Sequence, residues 1–105
     1  PWITQYDFWR ELCYFRKYVG VSNAFALHTA TGRAAEVMGL GSVTGTIEVG
    51  KSADLIVTRG NPLADLRALR SVDMVVARGR RYDAPRVKYN ARVMAELDKF
   101  LPGQE

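Results

Sequence analysis

One stretch in the middle of the chain has the residue types and spacing of a phosphate-binding loop. Residues Gly45 to Ser52 satisfy the pattern G-x-x-x-x-G-K-[ST], in which backbone amides surround a phosphate and a lysine contacts it. That chemistry requires a helix after the loop, with its N-terminus directed at the phosphate. The residues that follow, Asp54 to Val57, favour a strand, and Ile47 and Val49 favour extended backbone inside the loop. The stretch is therefore predicted to be a hairpin bracketed by two glycines and not a nucleotide site.

Residues able to bind a metal ion or act as a nucleophile are scarce. A metal site needs several His, Cys or carboxylate ligands that converge, and the chain has one histidine and one cysteine. His28 lies within a predicted helix, where a packed or solvated side chain is the simpler interpretation, and Cys13 is expected in the core. No serine stands in a G-x-S-x-G elbow. The sequence thus predicts no catalytic set and no metal site in this chain.

Basic residues concentrate towards the C-terminal end of the sequence. Tyr82 and Tyr89 are interleaved with them, a combination that can contact nucleic acid. The acidic residues Asp83, Glu96 and Asp98 follow closely, as in a solvated surface. We therefore expect no nucleic-acid partner. The basic residues are Arg78, Arg80, Arg81, Arg86, Lys88 and Arg92.

The overall composition is that of one globular domain. The chain has 105 residues, 48% of them hydrophobic and 25% charged, with a net charge of +4. These values exclude disordered, collagenous and disulfide-built proteins. A single cysteine and the lack of a signal-peptide pattern favour the cytoplasm. The sequence contains no run of about 18 apolar residues, so it does not indicate a membrane span. Because the sequence starts at Pro1 and not at Met, we expect either processing or an absent upstream part.

The first forty residues are predicted to be helical. A helix is predicted over residues 5–19 and ends at Gly20. One face of this helix is wide and apolar, and Asp7 and Arg10 lie together on a different, polar stripe. Ser22 is a predicted N-cap of a second helix, and a short third helix over 32–38 ends at a glycine. The apolar face of the first helix consists of Phe8, Leu12, Phe15 and Val19, with Trp9 and Cys13 beside it.

The rest of the chain is predicted to form a small sheet followed by a helix. Alternating or β-branched runs predict strands over 44–49, 54–58 and 72–78. A turn at residues 60–62 and a helical turn near 64–70 separate the last two strands. The final segment, 88–101, has the apolar spacing of a helix. The predicted fold class is therefore α+β.

Three ordered blocks of the sequence resemble the C-terminal end of the amidohydrolase superfamily. The blocks are Ala26 to Leu40, Gly45 to Val57 and Gly60 to Leu63, followed by a last strand from Val72 to Gly79. They are most similar to the branch of imidazolonepropionase-like and prolidase-like metal-dependent hydrolases. The resemblance covers about residues 22–83 and explains the phosphate-loop pattern as a coincidence.

The resemblance implies how this chain fits into a larger enzyme. In that family a (β/α)8 barrel holds one or two divalent metals, commonly zinc, and a smaller β-rich domain combines segments from both chain ends. Residues 1–40 then correspond to the last barrel helices and residues 41–105 to the C-terminal share of the small domain with its terminal helix. The metal ligands lie elsewhere, so no cofactor is expected in this chain. Gly45, Gly50, Lys51, Asp54, Asn61 and Pro62 are expected to be fold-making residues.

The resemblance also implies a function and partners. The chain is expected to be the C-terminal portion of a hydrolase acting on carbon–nitrogen bonds of a cyclic amide or a peptide-like substrate, inactive alone. Trp2 and Tyr6 are the residues expected nearest the substrate, since they follow the last barrel strand. The alternative is a non-enzymatic module that binds itself or a partner. The expected partners are the missing barrel portion and a second copy, because the apolar face of the first helix would otherwise meet water.

Overall fold

The computed structural model describes residues 7–86 and 88–102 and confirms the α+β class. Helix α1 (Trp9–Tyr14) continues as a π-helical segment (Phe15–Val19), and α2 (Asn23–Ala30) and α3 (Gly32–Val37) follow. Strands β1 (Leu55–Thr58) and β2 (Val72–Ala77) flank a 3-10 helix (Leu66–Arg70), and β3 (Arg80–Asp83) comes next. Helix α4 (Ala91–Asp98) lies near the C-terminal end.

Local signals in the sequence set the ends of the first two helices. Gly20 adopts a left-handed φ of 81°, and its N–H donates to the Arg16 carbonyl at 3.1 Å, which ends the π-helical segment. The Ser22 hydroxyl accepts a hydrogen bond from the Phe25 N–H at 3.1 Å, so the predicted N-cap is confirmed. The change from α to π geometry at Phe15 has no evident signal in the sequence.

The described strands form an antiparallel sheet in the order β1-β2-β3. Leu55 pairs with Val76, and Ala77 pairs with Arg80 across a two-residue turn. The turn residues Arg78 and Gly79 have φ values of 52° and 77°. Positive φ at both central positions is the geometry that matches the twist of a tight hairpin. The sheet is thus a meander whose second turn places an arginine in a left-handed conformation.

One expected strand is absent, and one observed strand was not expected. Residues 44–49 form turns and bends, and the loop is closed by a hydrogen bond from the Ser52 N–H to the Val43 carbonyl at 2.8 Å. Ile47 and Val49 are fully or almost fully exposed. A strand needs a neighbour that accepts its hydrogen bonds, and the described residues place none beside this loop. The basic run is exposed, as expected for a solvated surface, and it also contains β3, an edge strand that pairs with β2.

The core joins the helical half of the chain to the 3-10 helix. Leu12, Cys13, Ala26 and Leu66 are its buried members, which confirms the expected core position of Cys13. Trp9 and Phe15 pack against this cluster, as do Leu69 and Leu101. The predicted apolar face of the first helix is therefore divided, because Leu12 and Phe15 are covered by this chain and Phe8 and Val19 are not.

Several large apolar side chains of the described residues remain exposed. Phe8 and Val19 lie outside the core, at 65% and 64% exposure. Val37 and Met38, at the end of α3, are more exposed still. None of the described helices combines the length and the apolar character needed to cross a bilayer.

Candidate functional site

Arg10 lies at the centre of the most highly connected polar cluster among the described residues. It is the second residue of α1 and has no solvent-exposed surface. Its Nε donates to Asp7 Oδ2 at 3.2 Å, and its Nη2 donates to Asp98 Oδ1 at 2.7 Å. Nη2 also lies 3.8 Å from the Met94 sulfur, whereas Nη1 has no hydrogen-bond partner in the described part of the chain. A charged side chain this deeply buried ties α1 to α4.

Trp9 brings a second arginine into the same cluster. The guanidinium groups of Arg10 and Arg70 lie 4.8 Å and 4.9 Å from the centre of the Trp9 ring, at cation–π distance. The Trp9 Nε1 donates to Asp7 Oδ1 at 3.1 Å. Arg70, the last residue of the 3-10 helix, also pairs with Asp98. Helix α1, the 3-10 helix and α4 therefore meet around the Trp9 ring and the Asp98 carboxylate.

The electrostatics keep this cluster ionised. Burial by itself lowers the pKa of Arg10, but the hydrogen bonds to Asp98 and Asp7 outweigh it, and the net pKa is raised. Hydrogen bonding to Arg70, followed by that to Arg10, lowers the pKa of Asp98 against the opposing effect of its partial burial. Both shifts favour the charged forms, so the ion pairs persist near neutral pH.

The cluster forms one wall of an open cleft of about 780 Å³. The cleft lies between the start of α1, the 3-10 helix, β2 and α4. Its polar lining consists of Asp7, Arg59, Arg70, Ser71, Arg86 and Asp98. Its apolar and aromatic lining consists of Trp9, Leu69, Val72, Val75, Pro85, Tyr89 and Met94. The cleft is large enough to hold a small molecule.

Sequence reasoning missed this site. The spacing of Asp7 and Arg10, three residues apart, was the available signal, and it indicates an ion pair on one helical turn. The contact between Arg10 and Asp98 spans 88 residues of sequence and has no local signature.

Asp54 fixes the hairpin turn on the other side of the sheet. Its Oδ1 accepts from the Arg78 N–H at 2.8 Å, and its Oδ2 accepts from the Thr44 hydroxyl at 2.8 Å. These hydrogen bonds, that from the Arg78 backbone first, lower the pKa of Asp54. The neighbouring Ala53 carbonyl accepts from the Gly79 N–H at 3.0 Å. One carboxylate thus links the loop before β1 to the turn between β2 and β3.

The other expected fold-making residues also make local contacts. Lys51 Nζ lies 2.6 Å from Glu48 Oε2 and donates to the Thr46 hydroxyl, so its amine is engaged inside its own loop. The Asn61 side chain accepts from the Leu63 N–H at 3.0 Å, in the turn that contains Pro62. No helix follows Ser52 at the position that a phosphate-binding loop requires.

Gly45 and Gly50 both adopt positive φ, 96° and 92°, at the two ends of this loop. Gly45 lies against α3, since an added Cβ would be 2.5 Å from the Ala35 Cβ. Nothing lies within 4 Å of the corresponding position at Gly50.

Among residues 7–86 and 88–102, no group of three or more His, Cys, Asp and Glu side chains is arranged to hold a metal ion. His28 is exposed on α2, with its imidazole ring close to Gly32. Trp2 and Tyr6, the residues expected nearest the substrate, lie outside the described residues.

Comparison with known proteins decides the family. The model of the amidohydrolase family matches residues 5–82, well over half of the chain. The chain belongs to the amidohydrolase family. A comparison with curated protein sequences gave no significant match.

Two solved structures of amidohydrolase relatives resemble this chain. One is a candidate prolidase from Bifidobacterium longum, 46% identical, with a TM-score of 0.89 over 93% of this chain. The other is a Xaa-Pro dipeptidase with methionine bound in its active site, 36% identical, with a TM-score of 0.68 over 72% of this chain. The chain spans only 24% of the first structure and 18% of the second. It thus corresponds to a minor part of either relative.

Proposed function

We propose that this chain is the C-terminal part of a metal-dependent hydrolase that cleaves carbon–nitrogen bonds in peptide-like substrates, with Xaa-Pro dipeptides as the best candidates. The observation that carries the proposal is the 46% identity to a candidate prolidase over 93% of this chain. The second relative, a Xaa-Pro dipeptidase, supports the same substrate class and disfavours a cyclic amide. Substrate and activity are properties of the whole enzyme, of which this chain is a minor part.

The described residues do not fit a divalent metal. Asp7 and Asp98, the two carboxylates nearest each other in the cleft, are both engaged by arginine. A guanidinium within hydrogen-bond distance repels a cation that would need the same oxygens. We therefore assign the metal, with zinc as the first candidate, to the rest of the enzyme and derive no catalytic step here. The role proposed for this chain is to complete the fold around that site, in the cytoplasm.

The proposal is tested on the complete translation product that contains these residues. Hydrolysis of glycyl-proline is measured beside hydrolysis of glycyl-alanine, before and after dialysis against a chelator. The proposal predicts preferential cleavage of glycyl-proline that is lost with the metal and restored by zinc. Absence of hydrolysis with zinc, manganese or cobalt added would contradict it.

The exposed apolar surface favours a second candidate function, a module that associates with itself. Tyr18, Val19 and Phe25 are each at least half exposed, and such side chains favour association when they form a patch. On this view the 105 residues suffice for a homo-oligomer. Light scattering distinguishes the two functions, because a complete protein that is oligomeric and inactive on all dipeptides supports the module.

A further inference from the structure

We propose that the cleft beside Trp9 binds a small monoanionic ligand with an apolar body, such as an aliphatic carboxylate, through Arg86. This site lies within the described residues, and its test does not depend on hydrolase activity. The charge balance of the cleft, the character of its walls and its size favour such a ligand.

The charge balance leaves one arginine free to take a ligand. Arg59 donates through Nε and Nη2 to Asp73 Oδ1, at 3.2 Å and 3.0 Å. Arg10 and Arg70 share the carboxylates of Asp7 and Asp98. Both groups of charges are therefore balanced internally. Arg86 lines the cleft, and within the described residues its side chain has no hydrogen bond or ion pair.

The buried Arg10 lies behind this wall, and its charge is balanced by Asp7 and Asp98. Asp7, Trp9, Met94 and Asp98 all contact it and all line the cleft. Its Nη1 has no hydrogen-bond partner in the described part of the chain. A guanidinium whose hydrogen bonds are incompletely satisfied in a low-dielectric region exerts a stronger field than a solvated one. Because the other arginines of the lining and Arg10 are paired, the uncompensated charge that faces the cleft is that of Arg86, and it favours an anion.

The walls and the volume favour a ligand with an apolar body. Leu69, Val72 and Val75 form one side, and Met94 and Tyr89 lie on the C-terminal segment. A volume of about 780 Å³ falls within the range of about 300 to 1,000 Å³ that small-molecule sites occupy. A small inorganic ion would leave most of these walls in contact with water. A carboxylate with an alkyl or aryl body covers them.

The single uncompensated charge favours a monoanion over a phosphate. A phosphate carries close to two charges at neutral pH and gains most from several free arginines. Here one arginine is free, and its planar fork matches the two oxygens of a carboxylate. We therefore assign the site to carboxylates.

Calorimetric titration of the complete translation product with octanoate tests this assignment. We expect saturable binding that weakens about tenfold or more in Arg86→Ala, because a charged hydrogen bond is lost. Acetate should bind far more weakly, since each methylene buried strengthens binding by up to roughly fourfold. Octanamide, which has the same body and no charge, should show no saturable binding.

Arg92→Ala is the matched control. Arg92 is an exposed arginine on α4 that does not line the cleft, so its loss removes the same charge and should change octanoate affinity less than twofold. Melting curves confirm that both variants fold. The proposal is overturned if octanoate does not saturate the protein, if octanamide binds equally, or if both arginine variants weaken binding alike. Tighter binding of inorganic phosphate than of octanoate would also overturn it.

Discussion

Asp98 is the residue whose removal most directly exposes the role of the buried arginine. Its carboxylate serves both Arg10 and Arg70, and Arg10 has no access to water that could replace it. We expect Asp98→Ala to lower the free energy of unfolding by about 1 to 2 kcal/mol. This is the low end of the range for a buried charge that loses a partner, because the Asp98 side chain is itself partly solvated. Urea denaturation of the complete protein measures this loss.

Glu96→Ala is the matched control on the same helix. Among the residues that the structure describes, Glu96 pairs only with the exposed Lys99, at 2.7 Å, and an exposed pair of this kind contributes little to stability. Equal destabilisation by the two substitutions would show that the Arg10 cluster does not hold α4 in place.

The same carboxylate should give a characteristic pH dependence. Hydrogen bonding to Arg70 and then to Arg10 lowers the pKa of Asp98 below its ordinary 3.8. A group with a lowered folded pKa contributes stability that is complete above its unfolded pKa and is lost as the pH falls through the folded value. Carboxyl carbon chemical shifts from NMR should therefore give a midpoint for Asp98 below 3.8, rising in Arg70→Ala. A midpoint at or above 3.8 in the unmodified protein would refute this.

Sequence patterns indicated that Asp7 and Arg10 lie close together, but they did not indicate that Arg10 is buried at the centre of a cluster. Asp7 and Arg10 share a helical stripe that the sequence identifies, since it follows from spacing alone. The environment of Arg10 depends on Asp98 and Trp9 meeting from opposite ends of the chain, and spacing carries no such information. An arginine assigned to a polar stripe is consequently the largest fully buried side chain among the described residues.

Among the structural elements, the loop before β1 offers a test with its own control. Alanine at Gly45 or Gly50 carries the strain of a positive φ, about 1 to 2 kcal/mol. At Gly45 the new methyl group would also lie 2.5 Å from the Ala35 Cβ and 3.1 Å from the Thr31 carbonyl oxygen. We expect Gly45→Ala to cost about 1 to 3 kcal/mol more than Gly50→Ala, because the added methyl group must displace α3.

Urea unfolding of both glycine variants gives this difference. Similar losses in the two variants would mean that the loop is not packed against α3 as described. The comparison isolates packing, since backbone strain is common to both positions.

Elements defined by local chemistry were the predictable ones. The Ser22 cap, the Gly20 stop and the β-branched run of β2 each carry their own signal, and each is present in the structure. The strand predicted over 44–49 is absent and the strand Arg80–Asp83 was not predicted, and the two differences share one reason. Strand formation depends on a neighbour, and β3 exists because Met74–Ala77 lies beside it despite its polar sequence.

For the whole molecule, the family assignment explains why so much apolar surface is exposed. Ile47, Val49 and Met38 lie on one stretch of chain, and this chain covers 24% of one relative and 18% of the other. We propose that the remainder of the enzyme covers these side chains. The sequence blocks from Ala26 to Leu63 carried the family assignment, and the described residues contain no group of three or more His, Cys, Asp and Glu side chains that could hold a metal ion.

Metal content tests the central claim most directly. Elemental analysis is performed in parallel on the isolated 105-residue chain and on the complete translation product, both purified without chelator. The account predicts no stoichiometric metal in the chain, because its described residues offer no ligand cluster, and at least one zinc or other divalent ion per complete protein. One tightly bound metal per isolated chain, lost in His28→Ala, would contradict the account, as would a complete protein that binds none.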